Sequence, residues 1–463
     1  MSLFGYYSLG LQSLNVARLG LQVAGNNIAN VFTPGYARRD MQLTPGYPIN
    51  VPGGFLDSGV DVASLRRMED QFLQNSLYRE QGAQAGAEEL LGGLHQIETV
   101  FGPLEGEGGL TSALSRFSAA FSELAAQPDS AALRRGAVSA ADSLARSIND
   151  TYTGLQQQRA VQDLKVGSTV ERINTLAEEL AALNREIGIE EGTGQVAAPL
   201  RDQRQLILEE LSQLTGGSGF NDESGRTHFS LPGGPTLVSG SATLPLQTSR
   251  AADGTLRIHA GSDGSDVTDR IRSGRLGAQL DLRDDEISGL MADLDVLAAD
   301  LTTRANALTT TAFDLNGNAG GHLFLPDPPA VPGAAGRIAI DPALLQDPDL
   351  LAVSGTGAPG EGDVASQLAA LPDQASAALG GKNASAFLSD LFSGLGQRIA
   401  QADVAESVSR SVVESTQSRI DAVSGVSLDE EAANLIRYQQ SYEAAAKFIQ
   451  VLNNVTEMAV NLI

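Results

Sequence analysis

Histidine is the side chain best suited to proton transfer or metal binding near neutral pH, and the four in this 463-residue chain stand far apart, at His95, His228, His259 and His322. None belongs to an H-E-x-x-H pair or another ligand spacing, so each reads as an ordinary surface or turn residue. Asp263-Gly-Ser-Asp266 with Asp269 could gather oxygen ligands for a calcium ion. Its spacing is not that of an EF-hand, and a polar turn between strands explains it better. Gly355-Thr-Gly357-Ala-Pro-Gly360 matches G-x-G-x-x-G, but Pro359 and the Gly/Pro-rich continuation deny it the helix that a dinucleotide site requires. The paired carboxylates at Asp284-Asp285 and Glu178-Glu179 lie in helical stretches and read as solvated faces. Cysteine is absent, which excludes disulfides, thiolate metal sites and cysteine nucleophiles. No G-x-S-x-G elbow and no P-loop occurs. The sequence advertises no catalytic residue, no cofactor site and no metal.

What it does advertise lies at the two ends. Leu3, Tyr7, Gly10, Leu14, Ala17, Leu21, Ala24, Ile28 and Val31 follow the alternating three-and-four spacing of a coiled-coil seam. Leu428, Leu435, Tyr438, Tyr442, Ala445, Ile449, Leu452, Thr456, Ala459 and Ile463 repeat the pattern, with Thr456 as its polar break. Ser427-Leu-Asp-Glu430 reads as a capping box, and Asp429, Glu430 and Glu431 suit the positive end of a helix dipole. Charge is scarce away from the seams. Arg18 is the only charged residue before Arg38, and only Lys447 and Glu457 follow Glu443. A solvated helix face carries many more. Both ends are therefore expected to need protein around them that one molecule does not supply.

Between the ends, Thr33–Gly59 is rich in Gly and Pro and reads as an extended connector. From Val60 to about Leu214 the pattern is mostly helical, with a stripe at Ile173, Leu176, Leu180, Leu183 and Ile187 and a break at Gln127-Pro-Asp. After Gly216-Gly-Ser-Gly219, short alternating runs such as Thr227–Leu231 and Thr255–His259 predict strands, the second behind an Asp253-Gly254 hairpin turn. Helical patterning returns over Leu282–Leu308. A Gly/Pro-rich stretch near 316–371 holds a short strand at Arg337–Ile340, and a long helix covers about Leu395–Val423. The expected fold is mainly α with a β insert. Residues 1–64 and 425–463 form a terminal coiled-coil unit, 65–216 with 272–424 a long helical bundle, and 217–271 a small inserted β domain.

The charge balance narrows the function. With 56 acidic and 31 basic residues the chain carries −25, which disfavours nucleic acid and anionic membrane surfaces as partners. No apolar run is long enough to span a bilayer, and the N-terminus lacks the pattern of a cleaved secretory signal.

Gly25-Asn-Asn-Ile-Ala-Asn30 followed by Thr33-Pro-Gly-Tyr36 resembles the N-terminal signature of bacterial flagellar axial proteins. Its residues are Asn26, Asn27, Ala29, Asn30, Thr33, Pro34, Gly35 and Tyr36, with Phe32 where that family typically has Asn. Pro34 cannot continue a helix, and Gly35 permits a tight turn. Further segments narrow the resemblance to the flagellar hook-associated protein 1 family. They are Val60-Asp-Val-Ala with Asp70-Gln-Phe-Leu73, read as a helix after the connector, and Glu98-Thr-Val-Phe-Gly102 with Leu110-Thr-Ser-Ala-Leu114. Leu276–Asp284, Phe313–Gly321, Gly425–Asn434 and Tyr438-Gln-Gln-Ser-Tyr442 complete the set. The resemblance is weakest from Phe220 to Val267.

That resemblance implies a structural subunit of the hook–filament junction, exported through the flagellar type III apparatus without a cleaved signal and assembled extracellularly as a short ring. Its implied partners are further copies of itself, the hook protein, the second hook-associated junction protein and an export chaperone on the C-terminal helix. The assembly interface is expected at Leu3, Tyr7, Leu14, Leu21, Ile28, Val31, Leu435, Tyr438, Tyr442, Ile449, Leu452 and Ile463. Both ends are expected to order only on assembly, since helices of this length and composition are marginal alone. Two other readings stand beside it. One is a hook or distal rod subunit, which shares the N-terminal motif. The other is a flagellum-associated glycan hydrolase, which needs a carboxylate pair in a cleft.

Overall fold

A computed structural model describes residues 3–46, 49–51, 54–56, 59–102, 109–192, 196–222, 224–261 and 264–461. Helix α1 (Leu3–Ala29) opens the chain and α11 (Leu428–Asn461) closes it, packed antiparallel as a two-helix rod. Strands β1 (Arg39–Pro45), β2 (Ile49–Val51), β3 (Gly54–Leu56) and β4 (Val60–Arg67) follow α1. β1 pairs with β4 and β2 with β3, all antiparallel, and the β1–β4 ribbon lies along the flank of α1.

The connector is thus a hairpin, and the helical reading of Val60–Ala63 is corrected: these residues begin β4. Val60, Val62 and Ser64 alternate with Asp61, Ala63 and Leu65, a period of two. The helix start signal comes only at Asp70, whose carboxylate accepts from the amides of Phe72 and Leu73. There α2 (Gln71–Phe101) begins, followed by α3 (Leu110–Ala126). The Gln127-Pro-Asp break separates α3 from α4 (Ala131–Glu191), which Ser130 caps, and α5 (Ala198–Thr215) folds back against α4. At about 1.5 Å per residue α4 is roughly 90 Å long.

The β segment comprises β5 (Ser218–Asn221), β6 (Thr227–Ser230), β7 (Thr236–Ser239), β8 (Ala242–Thr243), β9 (Gln247–Arg250), β10 (Leu256–Ala260) and β11 (Ser265–Asp266). They form a sheet of order β5-β6-β7-β8 and another of order β11-β10-β9. Next come α6 (Gly274–Asp281), a wider turn at Leu282–Glu286, and α7 (Ile287–Thr309). A β12 (Phe324–Leu325) and β13 (Ala339–Ile340) pair, α8 (Pro342–Gln346) and α9 (Asp363–Ala370) lead to α10 (Ala384–Ser424), which begins earlier than expected because Asn383 caps it.

Two cores hold the body. One gathers α3, the first half of α4, α7, α9 and the start of α10 around Phe117 and Phe121, whose rings lie 4.6 Å apart. The other joins the second half of α4 to α5, α6 and the β segment: Val170, Ile173 and Leu180 pack with Phe229, Val238 and Ile258. The strands therefore share a core with helices on either side of them in sequence. Arg283 fastens this arrangement, fully buried, with bonds of 2.7 Å to Asp163 on α4 and 2.9 Å to the Leu256 carbonyl on β10. Helices α2 and α10 run antiparallel between rod and body. Phe101 meets Phe392 at one end of the pair, and Leu73 and Leu77 meet Ile420 at the other.

Candidate assembly interface

The rod seam is built on small residues. On α1 the fully buried positions are Gly10, Ala17, Gly20, Ala24 and Asn27, spaced so that one stripe faces α11. A Cβ on Gly20 would lie 2.6 Å from the Tyr438 ring, and one on Gly10 would lie 2.7 Å from Ile449. Each glycine is thus the hole for a large side chain of α11, and two Cα atoms are all the room allows. Tyr7, Leu14, Leu21, Ile28 and Val31 flank this stripe half-buried, as do Leu435, Tyr438, Ile449 and Leu452 on the partner helix, with Ala445 buried at its centre. Tyr442 is 40% exposed. Leu3 is the first residue of α1, and its side chain lies outside the described residues, as does Ile463. The heptad spacing points to most of these positions. Gly20 was missed, and its only signal is the run of small residues itself.

The rod covers itself on one side only. Phe448, Val451, Val455 and Met458 follow a second three-and-four stripe on α11, and all four are exposed, as is Leu11 on α1. Arg18, Lys447 and Glu457 make no ion pair among the described residues.

The motif after α1 is a clamp. Thr33-Pro-Gly-Tyr36 forms a tight turn, with the Tyr36 amide donating to the Thr33 carbonyl at 3.2 Å and Gly35 at φ 74°. The Asn30 carboxamide donates back to the Asn26 carbonyl and accepts from the Thr33 hydroxyl. Asn27 is the centre. Its Oδ1 accepts from the Tyr36 hydroxyl at 2.7 Å and the Arg39 amide at 3.0 Å, while its Nδ2 donates to the Arg39 carbonyl at 2.9 Å. A buried carboxamide so satisfied fixes the angle at which the chain leaves the rod. Burial raises the Tyr36 phenol above its ordinary pKa, so it remains a donor. Ala29 ends α1, and Asn26 and Pro34 are exposed.

The chain crosses between rod and body twice, and the crossings are bonded together. Arg38 donates its amide to the Ser424 carbonyl at 3.0 Å and accepts from the Met68 amide at 2.8 Å. Its guanidinium reaches Glu430 at 2.9 Å and the buried Glu431 at 2.8 Å. The expected capping box is therefore only half made. Ser427 Oγ accepts from the Glu430 amide at 3.4 Å, but the Glu430 carboxylate turns outward to Arg38, a cation the sequence places 392 residues away. Beyond it, Arg39 and Arg67 share Asp202 on α5, and Arg67 also contacts Glu69. Sequence reasoning missed this network, since no local pattern links such distant charges. A cleft of about 760 Å³ opens beside the crossings, between the Val31–Arg38 turn, α5 and the 423–427 link.

The candidates for chemistry are dispersed. His228 lies 3.3 Å from both Asp222 and Ser239, His259 2.7 Å from Ser249, His322 3.0 Å from Asp327 and His95 3.3 Å from Glu98. Asp266 caps Thr268 and Asp269 faces Arg257, while Asp263 lies outside the described residues. Residues 355–360 form a loop whose Thr356 binds Glu361. Among the described residues no group of three His, Cys, Asp or Glu could hold a metal ion, and no helix is long and apolar enough to cross a membrane.

Comparison with known proteins bears on the same regions. Residues 94–324 match the flagellar hook-associated protein FlgK helical domain, and residues 418–462 match the flagellar basal body rod FlgEFG protein C-terminal region. The flagellar hook-associated protein 1 of Escherichia coli (strain K12) is 23% identical, the alignment covering 98% of each chain. That of Bacillus subtilis (strain 168) is also 23% identical, over 97% of this chain and 96% of the other. The flagellar hook junction protein FlgK from Burkholderia pseudomallei superposes with a TM-score of 0.50 at 25% identity, covering 54% of this chain and 46% of that one.

Proposed function

The chain belongs to the flagellar hook-associated protein 1 family and is a structural subunit of the hook–filament junction, and we propose that it polymerises there through the α1–α11 rod. It is part of the external flagellum. The observation that carries the proposal is the one-sided cover of the rod: a small-residue seam pairs α1 with α11, yet α11 keeps a second apolar stripe bare. Side-by-side copies would cover that stripe. The seam residues from Tyr7 to Val31 and from Leu435 to Leu452 would set the rod, and the Asn26–Tyr36 clamp would set its angle to the body.

The flanking partners in this reading are the hook protein and the second hook-associated junction protein. Export would run through the flagellar type III apparatus, with a chaperone on the C-terminal helix, whose bare apolar surface offers a docking face. We read residues 1–64 with 425–463 as the assembly unit and the remainder as its projecting body. The role in this reading is structural rather than enzymatic, supported by the likeness over nearly the whole chain to flagellar hook-associated proteins. A chain with Leu435, Ile449 and Leu452 changed to Asp tests the proposal in cells lacking the native copy. Those cells should make hooks and shed filament protein into the medium. Normal attached filaments would refute it.

A further inference from the structure

Arg204 on α5 is only 5% exposed, yet it makes no ion pair among the described residues. Its Nη1 donates to the Asn184 side chain at 3.3 Å and to the Gly225 carbonyl at 2.9 Å. Its Nε and Nη2 have no partner among the described residues, and neither atom is sealed off by protein. Arg67, Arg134 and Arg283, the other deeply buried arginines among the described residues, each bond through two or three nitrogens. A guanidinium taken out of water needs a counter-charge or a full set of acceptors to offset the hydration it loses. Burial, and after it the charge of Arg201, lower Arg204 to about 10.

Arg204 lines a cavity of about 160 Å³ bordered by four segments: the turn after β4, the first turns of α2, α5 and β5. Arg67, Glu69, Asn75, Tyr78 and Arg201 stand on its other walls. Three guanidiniums and one carboxylate thus face one hollow, in a chain whose acidic residues outnumber its basic ones by 56 to 31. Glu69 is held by Arg67 and lies 4.0 Å from Arg201, which is itself paired with Glu191 at 2.7 Å. The charge left to be met from within the cavity is that of Arg204.

We propose that this cavity binds one small oxyanion of the phosphate and sulfate class, held by Nε and Nη2 of Arg204. The N–H groups of those two nitrogens run side by side, a fork that matches two oxygens of one anion. Volume sets the size of the ligand, since pockets for drug-sized molecules run to roughly 300–1,000 Å³. Asn75 and Tyr78 add neutral polar groups to the wall, and burial raises the Tyr78 phenol, so it remains a donor. An ion seated there joins the exit of the connector hairpin to α2, α5 and the β segment. The inference does not depend on how the rods assemble.

The test titrates the full chain, in chloride buffer of constant ionic strength, with sodium phosphate in one arm and sodium sulfate in the other. Calorimetry should show saturable binding of one ion per chain, with a rise in Tm that follows occupancy. Arg204→Gln should weaken binding at least about tenfold, the loss of one charge-assisted hydrogen bond. Asn75→Phe fills the cavity from α2 and leaves every arginine in place. It should abolish binding while the far-ultraviolet circular dichroism stays native. A native chain that responds to neither anion more than to chloride overturns the site. Binding that survives Asn75→Phe unweakened also overturns it, because the ion is then held elsewhere. Should Arg204→Gln fail to fold, Asn75→Phe decides alone.

Discussion

Rod and body bury their residues by opposite means. In the body, Phe117, Phe121 and Phe324 are almost wholly enclosed, and each large apolar side chain so buried contributes about 1.5–3 kcal/mol. In the rod, the enclosed positions of α1 are Gly10, Ala17, Gly20, Ala24 and Asn27, which remove little apolar area from water. What the rod gains is close backbone approach, dispersion contacts that are small one by one. Charge divides the same way. Residues 1–37 and 424–463 hold three basic and five acidic residues between them, so nearly all of the −25 sits on the body. The body is built to stand alone in water and to repel its copies. The rod, in the proposed assembly, is completed by them.

Substitutions can break or sharpen that contrast. The largest expected effect is in the body: Phe121→Ala should destabilise it by about 3–5 kcal/mol, read as a lower Tm, while assembly at low temperature survives. The mirror experiment is Gly20→Val, which drives a branched side chain into the Tyr438 ring. Overpacking of this kind costs about 1–3 kcal/mol, and it should abolish assembly with the Tm of the body unchanged. A matching fall in body Tm would show the two regions to be one cooperative unit. Asn27→Ala removes three hydrogen bonds at the clamp and should cost about 1–3 kcal/mol, seen as faster hydrogen exchange in residues 20–39 but not in α4.

The smallest expected effect concerns pH. Burial, and then the hydrogen bond and charge of Asp285, push the Asp281 carboxyl up to about 6. The fold therefore prefers it neutral. Its stabilising contribution is complete below the ordinary carboxylate range and is lost as pH rises through about 6. Asp281→Asn should accordingly raise the Tm of the body at pH 7.5, by an amount worth less than about 1 kcal/mol, and leave it unchanged at pH 4. The rod's hydrogen exchange should not respond at all.

The elements legible in the sequence are those whose partners are implied by periodicity alone. Both terminal helices, the Gln127-Pro-Asp break and the strands at Thr227 and Leu256 all announce themselves through spacing or turn residues. The β1–β4 ribbon was half hidden. Val60–Leu65 alternates with a period of two but is short, and it follows a stretch whose glycines and prolines suggest no order. The shared core of the β segment was hidden entirely. It arises because the two halves of one 61-residue helix serve different cores, which a uniform stripe does not reveal. Of the interface, the seam was readable, whereas the Arg38–Glu431 contact joins residues that only the closed chain brings together.

The two crossings also have a mechanical meaning. Along the covalent chain, a torque or pull applied to the rod leaves it through the Asn30–Arg38 segment and the Ser424–Ser427 segment, and these are tied to each other between Arg38 and Ser424. Bonds loaded in parallel share force and must fail together, whereas bonds loaded in series unzip one at a time. A subunit rooted by both its ends at one point is anchored in the first way.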